Sequence, residues 1–218
     1  MNREPNFIPA LRFNWLTPVY DWLIGKTMPE RKFKAALIDN AALLNGKVLD
    51  FGCGTGTLTV MIKQAQPDTT VIGIDVDTEI LKKATQRIEE KQLDIILTSY
   101  NGAILPYPEK HFEKVVSCLV FHHLDTESKG RAFREIFRVL KTNGELHIAD
   151  FGRSASLLQR LLFNIIRSLD GYAPTAANAK GILPRMMSES GFRDVKITHR
   201  YKTVFGEVQL IKALKNNE

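Results

Sequence analysis

Ten consecutive residues limit what this chain can fold into more than any others: Val48-Leu49-Asp50-Phe51-Gly52-Cys53-Gly54-Thr55-Gly56-Thr57. An apolar run ends in an acid, three alternating glycines turn the chain, and a helical pattern follows. A second apolar run, Ile72-Gly73-Ile74-Asp75, ends in another acid. Strand, glycine loop, helix and strand make the first half of a nucleotide-type α/β sheet. The glycines let the loop turn tightly and let a ligand reach the backbone with no Cβ in the way. A helix starting near Thr55 offers unpaired N–H groups to an anionic ligand group.

Spacing narrows the ligand. The dinucleotide fingerprint is G-x-G-x-x-G. Here the glycines are Gly52, Gly54 and Gly56, and Thr57 stands where that fingerprint wants its third glycine. Asp75 falls where such folds set a carboxylate against ribose hydroxyls. It would accept from both hydroxyls of an adenosine and repel a 2′-phosphate. The bland alternative is a glycine turn that serves packing alone.

From Gly46 onward, strands are expected at 47–51, 70–75, 94–99, 113–119 and 144–150, and helices at 56–65, 78–91 and 127–140. That alternation predicts a parallel sheet with helices on both faces. Asn143-Gly144 supplies a turn before the fifth strand. Val195–Thr203 and Glu207–Leu214 read as a hairpin around Phe205-Gly206. No repeat or linker divides the chain, so residues 1–218 are expected to form one domain.

Two segments lie outside this alternation. Residues 1–45 read as helical pieces broken at Pro18 and Pro29, rich in aromatics such as Phe13, Trp15, Tyr20 and Trp22. They either pack on an outer face or form a lid over the ligand. Within 154–184, Leu157, Leu158, Leu161, Leu162, Ile165, Ile166 and Leu169 recur at helical spacing. This inserted amphipathic helix can serve core packing, a substrate-pocket wall, or a membrane or partner contact.

The chain has 218 residues, 44% of them hydrophobic, which suits one globular domain. The net charge of +6 is spread through helices beside acids, as in Glu89-Glu90-Lys91. A scattered charge of this kind argues for a solvated surface and against nucleic-acid binding. It leaves open a peripheral contact with an anionic membrane surface. The two cysteines, Cys53 and Cys118, sit in the loop and in a strand, so neither a disulfide framework nor a metal site is expected. No apolar run is long enough to span a bilayer, and residues 1–9 lack a secretory layout, so a cytoplasmic enzyme is expected.

The chain resembles the class I S-adenosylmethionine-dependent methyltransferases, and among them the ubiquinone/menaquinone-biosynthesis C-methyltransferase branch. The resemblance runs from about Phe13 to Leu214. It is carried by V-L-D-F-G-C-G-T-G-T at Val48 to Thr57, G-I-D-V-D at Gly73 to Asp77, L-P-Y-P at Leu105 to Pro108, and F-R-E-I-F-R-V-L-K-T-N-G-E-L at Phe133 to Leu146. It implies a Rossmann-like, mostly parallel seven-stranded sheet with an antiparallel last strand. It implies S-adenosyl-L-methionine as cofactor, S-adenosyl-L-homocysteine as product and a small-molecule acceptor. Cofactor contacts are then expected from Asp50, Gly52, Cys53, Gly54, Thr55, Gly56, Asp75, Val76, Asn101, Gly102 and Leu119. The family often has an Asp-Ala pair beside the adenine where this chain has Asn101-Gly102. An Asn offers a carbonyl oxygen to the adenine amino group but no charge.

Ligands of open parallel sheets bind beyond the carboxyl ends of the strands. Substrate contacts are therefore expected from Phe121, His122 and Asp150, with Tyr20 from the N-terminal segment and Tyr172 from the insertion. Methyl transfer from a sulfonium needs alignment and dryness, which are worth on the order of 7–11 kcal/mol. A general base is needed only where the nucleophile must lose a proton. The candidates are His122 and His123, with Asp125 to orient one of them. Consecutive loop residues point apart, so at most one should face the pocket. The bland alternative is that both cap or pack the loop. Cys53 reads as a small packing residue rather than a nucleophile.

The acceptor classes are a quinone precursor, a phospholipid amine, and a secondary metabolite with an O or N acceptor. Two other functions compete. A nicotinamide-dependent oxidoreductase is disfavoured by Thr57 and by the lack of a Tyr-x-x-x-Lys pair. A non-catalytic cofactor-binding module is disfavoured by the intact loop and Asp75.

Overall fold

A computed structural model of the chain describes residues 30–42, 46–154, 172–204 and 206–216, with single positions between 156 and 164. The elements run α1 (Glu30–Ala41), β1 (Lys47–Phe51), α2 (Thr57–Ala65), β2 (Thr70–Asp75), α3 (Thr78–Glu90), β3 (Ile96–Ser99) and β4 (Phe112–Cys118). A short 3₁₀ turn (Phe121–His123) leads to α4 (Thr126–Val139), β5 (Leu140–Gly152), α5 (Tyr172–Lys180), α6 (Leu183–Glu189), β6 (Arg193–Thr203) and β7 (Gly206–Leu214).

The strands form one seven-stranded sheet in the order β3-β2-β1-β4-β5-β7-β6. The pairs β1–β2, β1–β4, β2–β3 and β4–β5 are parallel. The last strand, β7, runs antiparallel to both of its neighbours. Strand order reverses at β1 and β4, which opens a crevice beyond their carboxyl ends.

Alternate strand residues feed two cores. Leu49, Ile72, Val115 and Ile148 pack with Phe133 and Ile136 of α4 and Leu183 and Met187 of α6 on one face. Val48, Val71, Val116 and Ala149 pack with Phe33 and Leu37 of α1 and Leu58 and Ile62 of α2 on the other. The central strands read as continuous apolar runs because both of their faces are covered. Asp77 caps α3, accepting from the Glu79 and Ile80 N–H groups, and Asp125 caps α4, accepting from Ser128 N–H.

One expectation needs correction. The fifth strand starts before the Asn143-Gly144 turn rather than after it. Its pairing jumps from Phe112–Leu140 to Lys114–Glu145, and Asn143 takes φ +60° inside that irregularity. Of the insertion's apolar stripe, Leu157 and Leu161 lie within the described residues. At the described helical positions, Leu157 and Leu161 are 74% and 66% exposed, while Phe163 is buried against Phe151 at 5.1 Å between centroids. The end of the expected helical insertion holds α5 and the start of α6. Pro184 sits in the first turn of α6, where a proline costs no hydrogen bond. Of the expected N-terminal lid, only α1 and the residue after it, directly following Pro29, lie within the described residues; Tyr20 lies outside them.

Candidate active site

A cleft of about 540 Å³ opens at the carboxyl ends of β1, β2 and β4. Its floor is the glycine loop, Gly52 to Thr55, with Thr57. The loop is pinned to β2 because the N–H groups of Gly52 and Cys53 both donate to Ile74 O, at 2.8 and 3.0 Å. Arg87 of α3 braces it from outside, donating to Thr55 O at 2.9 Å and to the Thr57 hydroxyl. At Gly54, φ is +54° and a Cβ would meet nothing within 4 Å, so the bare backbone faces open cleft. Gly56 is different. Its missing Cβ would lie 3.2 Å from Ala84 Cβ, so this third glycine lets α2 and α3 approach and does not line the cleft.

One end of the cleft is built by Asp75, Val76, Asp77, Ile80 and Tyr100. Asp75 Oδ2 accepts from Gly54 N–H at 2.8 Å and Oδ1 from Asp77 N–H at 3.1 Å. Burial, with the Asp75 charge added, pushes the Tyr100 phenol up, so it stays a neutral donor. Asn101 and Gly102 do not line the cleft. The Asn101 carbonyl oxygen is engaged by the N–H groups of Ala103 and Ile104, at 3.0 and 3.3 Å, and closes the turn after β3.

The other end holds Glu30 and Lys34 of α1, with Cys118 at the end of β4 and Leu119, Val120, His123 and Leu124 after it. Lys34 and Glu30 form an ion pair. Asp50 lies below the loop and is not part of the lining. It is 1% exposed, and the Thr59 hydroxyl donates to it at 2.6 Å. Burial pushes its carboxyl up to about 6, against the Thr59 hydrogen bond and the Lys34 charge, which draw it down. Burial likewise pushes the Cys53 and Cys118 thiols up, so neither is a nucleophile at neutral pH.

The two histidines divide their work. His122 is 4% exposed and turns into the protein, where its Nδ1 meets Asp150 Oδ1 at 2.8 Å. Asp150 is fully buried and also accepts from the N–H groups of Phe121 and Phe151 and from Asn178 Nδ2. Burial alone would raise its carboxyl; the His122 ring, the Phe151 N–H and Lys129 outweigh it and hold it below its ordinary value. His123 lines the cleft with its ring 3.9 Å from that of His122. Burial, and then the His122 charge, lower it to about 3, so its imidazole is neutral. Asp125 orients neither ring, since it caps α4. Phe121 is buried, stacked on Phe133 at 4.6 Å, and Tyr172 is 57% exposed at the start of α5. Phe121, His122 and Asp150 thus lie behind the cleft wall rather than in it.

Several lining residues were not singled out from the sequence: Glu30, Lys34, Thr57, Asp77, Ile80 and Cys118. Lys34 carried a usable signal. It interrupts the buried stripe Phe33, Leu37, Ile38, Ala41 of α1, where a cation has no structural reason to stand.

Residues 48–144 match a methyltransferase domain family. An uncharacterized methyltransferase of Bacillus licheniformis is 30% identical over 156 residues, covering 69% of this chain and 68% of the relative. A demethylmenaquinone methyltransferase of Deinococcus radiodurans is 30% identical over 132 residues, 61% of this chain and 54% of the relative, so the chain spans about half the length of that protein. Haemonchus contortus phosphoethanolamine N-methyltransferase 2, solved with phosphomonomethylethanolamine and S-adenosylhomocysteine, shares the fold. Its TM-score is 0.71 at 15% identity, covering 91% of this chain and 56% of that one. The chain belongs to the class I S-adenosylmethionine-dependent methyltransferases, and S-adenosyl-L-methionine is its cofactor.

Proposed function

We propose that this chain methylates a ring carbon of an apolar hydroquinone-type acceptor, a quinone precursor, with His123 as the proton acceptor. The residues present fit the cofactor. Gly54 leaves open backbone facing the cleft, and each Asp75 oxygen has a lone pair beyond its backbone hydrogen bond for a ribose hydroxyl. When bound, S-adenosylmethionine supplies an activated methyl group on a sulfonium and leaves as S-adenosylhomocysteine.

The observation that carries the acceptor reading is His123, a neutral imidazole set in an apolar cleft wall with Val120 and Leu124. As a phenol ring carbon takes the methyl group, the hydroxyl proton passes to the base, and the ring hydrogen at that carbon is then lost as a proton while the oxygen takes one back, so one proton is released in all. A neutral imidazole offers a lone pair for it, and the negative charge growing on the phenol oxygen raises the ring's affinity for the proton. His122, held by Asp150, backs the His123 ring and fixes where it points. The apolar wall excludes water from the acceptor. A second cavity of about 450 Å³, lined by Leu157, Leu161, Phe163 and Ala179 at the end of β5, supports an acceptor with hydrocarbon to bury. The name of the Deinococcus relative supports the same class.

The test uses methyl-labelled cofactor with three acceptors in parallel: a demethylated quinol, phosphatidylethanolamine and a simple phenol. Label on the quinol ring carbon is expected. Label only on the amine or only on a phenol oxygen would overturn the reading.

A further inference from the structure

We propose that Lys34 reads the α-carboxylate of the cofactor's amino-acid end and makes the cleft select adenosyl thioethers that carry this carboxylate over those that have lost it. The inference rests on the assignment of the cleft to S-adenosylmethionine.

Lys34 is 7% exposed, on a helix whose other inward residues, Phe33, Leu37, Ile38 and Ala41, are apolar. A lysine is seldom buried without a partner, because its ammonium loses hydration there. Its ion-pair partner is Glu30, one turn back on α1, whose side chain is 45% exposed. The pair therefore bridges the buried wall and solvent, and both residues line the cleft. Behind the ammonium stands the buried carboxyl of Asp50, which feels the Lys34 charge. The arrangement places one cation at the cleft wall with a partner that can return to water at little cost.

Position selects the ligand group. Asp75 ends β2, whereas α1 packs against β4 and β5. The strands β2 and β4 flank β1, so the two ends of the cleft lie about two strand spacings apart, roughly 10 Å. A ligand whose ribose sits on Asp75 and whose thioether crosses the glycine loop brings its amino-acid end to Lys34. A carboxylate arriving there replaces Glu30 and gains a charge-assisted hydrogen bond in a largely dry wall. An adenosyl thioether without the carboxylate leaves the ammonium with Glu30 and gains nothing from it.

Calorimetry tests this with two ligands, S-adenosylhomocysteine and its decarboxylated counterpart, S-adenosyl-3-thiopropylamine. The full chain should bind the first about tenfold to a hundredfold more tightly. In Lys34→Met the gap should close to about threefold or less, through weaker binding of S-adenosylhomocysteine and not of the amine. Should that variant lose its fold by circular dichroism, Lys34→Gln is held to the same expectation. Equal affinity of the unaltered chain for both ligands overturns the proposal, as does a gap that survives the substitution. Failure of the unaltered chain to bind either ligand would instead contradict the assignment of the cleft.

Discussion

The backbone N–H of Gly54 donates to Oδ2 of Asp75 at 2.8 Å, and so ties the glycine loop after β1 to the end of β2. The same carboxylate faces the cleft. One residue thereby shapes the floor of the site and offers acceptors to a ligand. Asp75→Ala should cost about a hundredfold in S-adenosylhomocysteine affinity, the loss of hydrogen bonds to a charged acceptor, while the sheet survives. Calorimetry and a urea melt on the same sample separate the two effects.

Gly54 and Gly56 should respond differently to the same added methyl. Both have positive φ, so alanine strains each. Gly56→Ala also presses its Cβ to 3.2 Å of Ala84 and should destabilise the fold by about 1–3 kcal/mol with cofactor affinity retained. Gly54→Ala meets no protein atom within 4 Å and should chiefly remove cofactor binding. Paired urea melts and ligand titrations read the contrast.

The adjacent histidines should separate by mechanism. His123→Ala should lower kcat by about 10²-fold or more with S-adenosylhomocysteine affinity unchanged, as for a general base. His122→Ala leaves the buried Asp150 carboxylate without its imidazole and should cost about 3 kcal/mol of stability. Asp125→Ala should cost only the helix cap, about 1 kcal/mol, with turnover intact. Loss of turnover in Asp125→Ala, or full turnover in His123→Ala, contradicts this division.

Asp50 sets a pH dependence of stability. Its carboxyl is raised to about 6 in the fold by burial, against an ordinary value of 3.8. Between these values the folded chain binds more protons than the unfolded one, so this group's contribution falls as pH rises from 4 to 6 and stays low above. Asp50→Asn keeps an oxygen for the Thr59 hydroxyl and removes that cost. It should stabilise the ligand-free chain at pH 7.5 by on the order of 1–3 kcal/mol, with no gain at pH 4, as read by urea melts at the two values.

The glycine loop, the parallel core and the closing hairpin were legible because their signals are local. Val48 to Thr57 carries strand, turn and helix start in adjacent residues, and hydrophobic periodicity needs no partner to be read. What was missed depends on direction and distance. Nothing in His122-His123 says which ring turns to Asp150, 28 residues on. Gly56 looks like Gly54 until α3 is packed beside it. The leucines at 157 and 161 have helical spacing, but spacing does not say whether the stripe meets the core or water. Nor does the residue type alone say that the Asn101 carbonyl oxygen accepts from Ala103 N–H and closes its own turn. Lys34 lies in a helix that joins the cleft only through the tertiary fold.

The most direct test of the central claim is a melting titration of the full chain with S-adenosylhomocysteine beside NADH. At 100 times its dissociation constant, S-adenosylhomocysteine should add roughly 2.7 kcal/mol to stability, and NADH should add nothing. Stabilisation by NADH alone, or by neither compound in well-folded protein, would contradict the account.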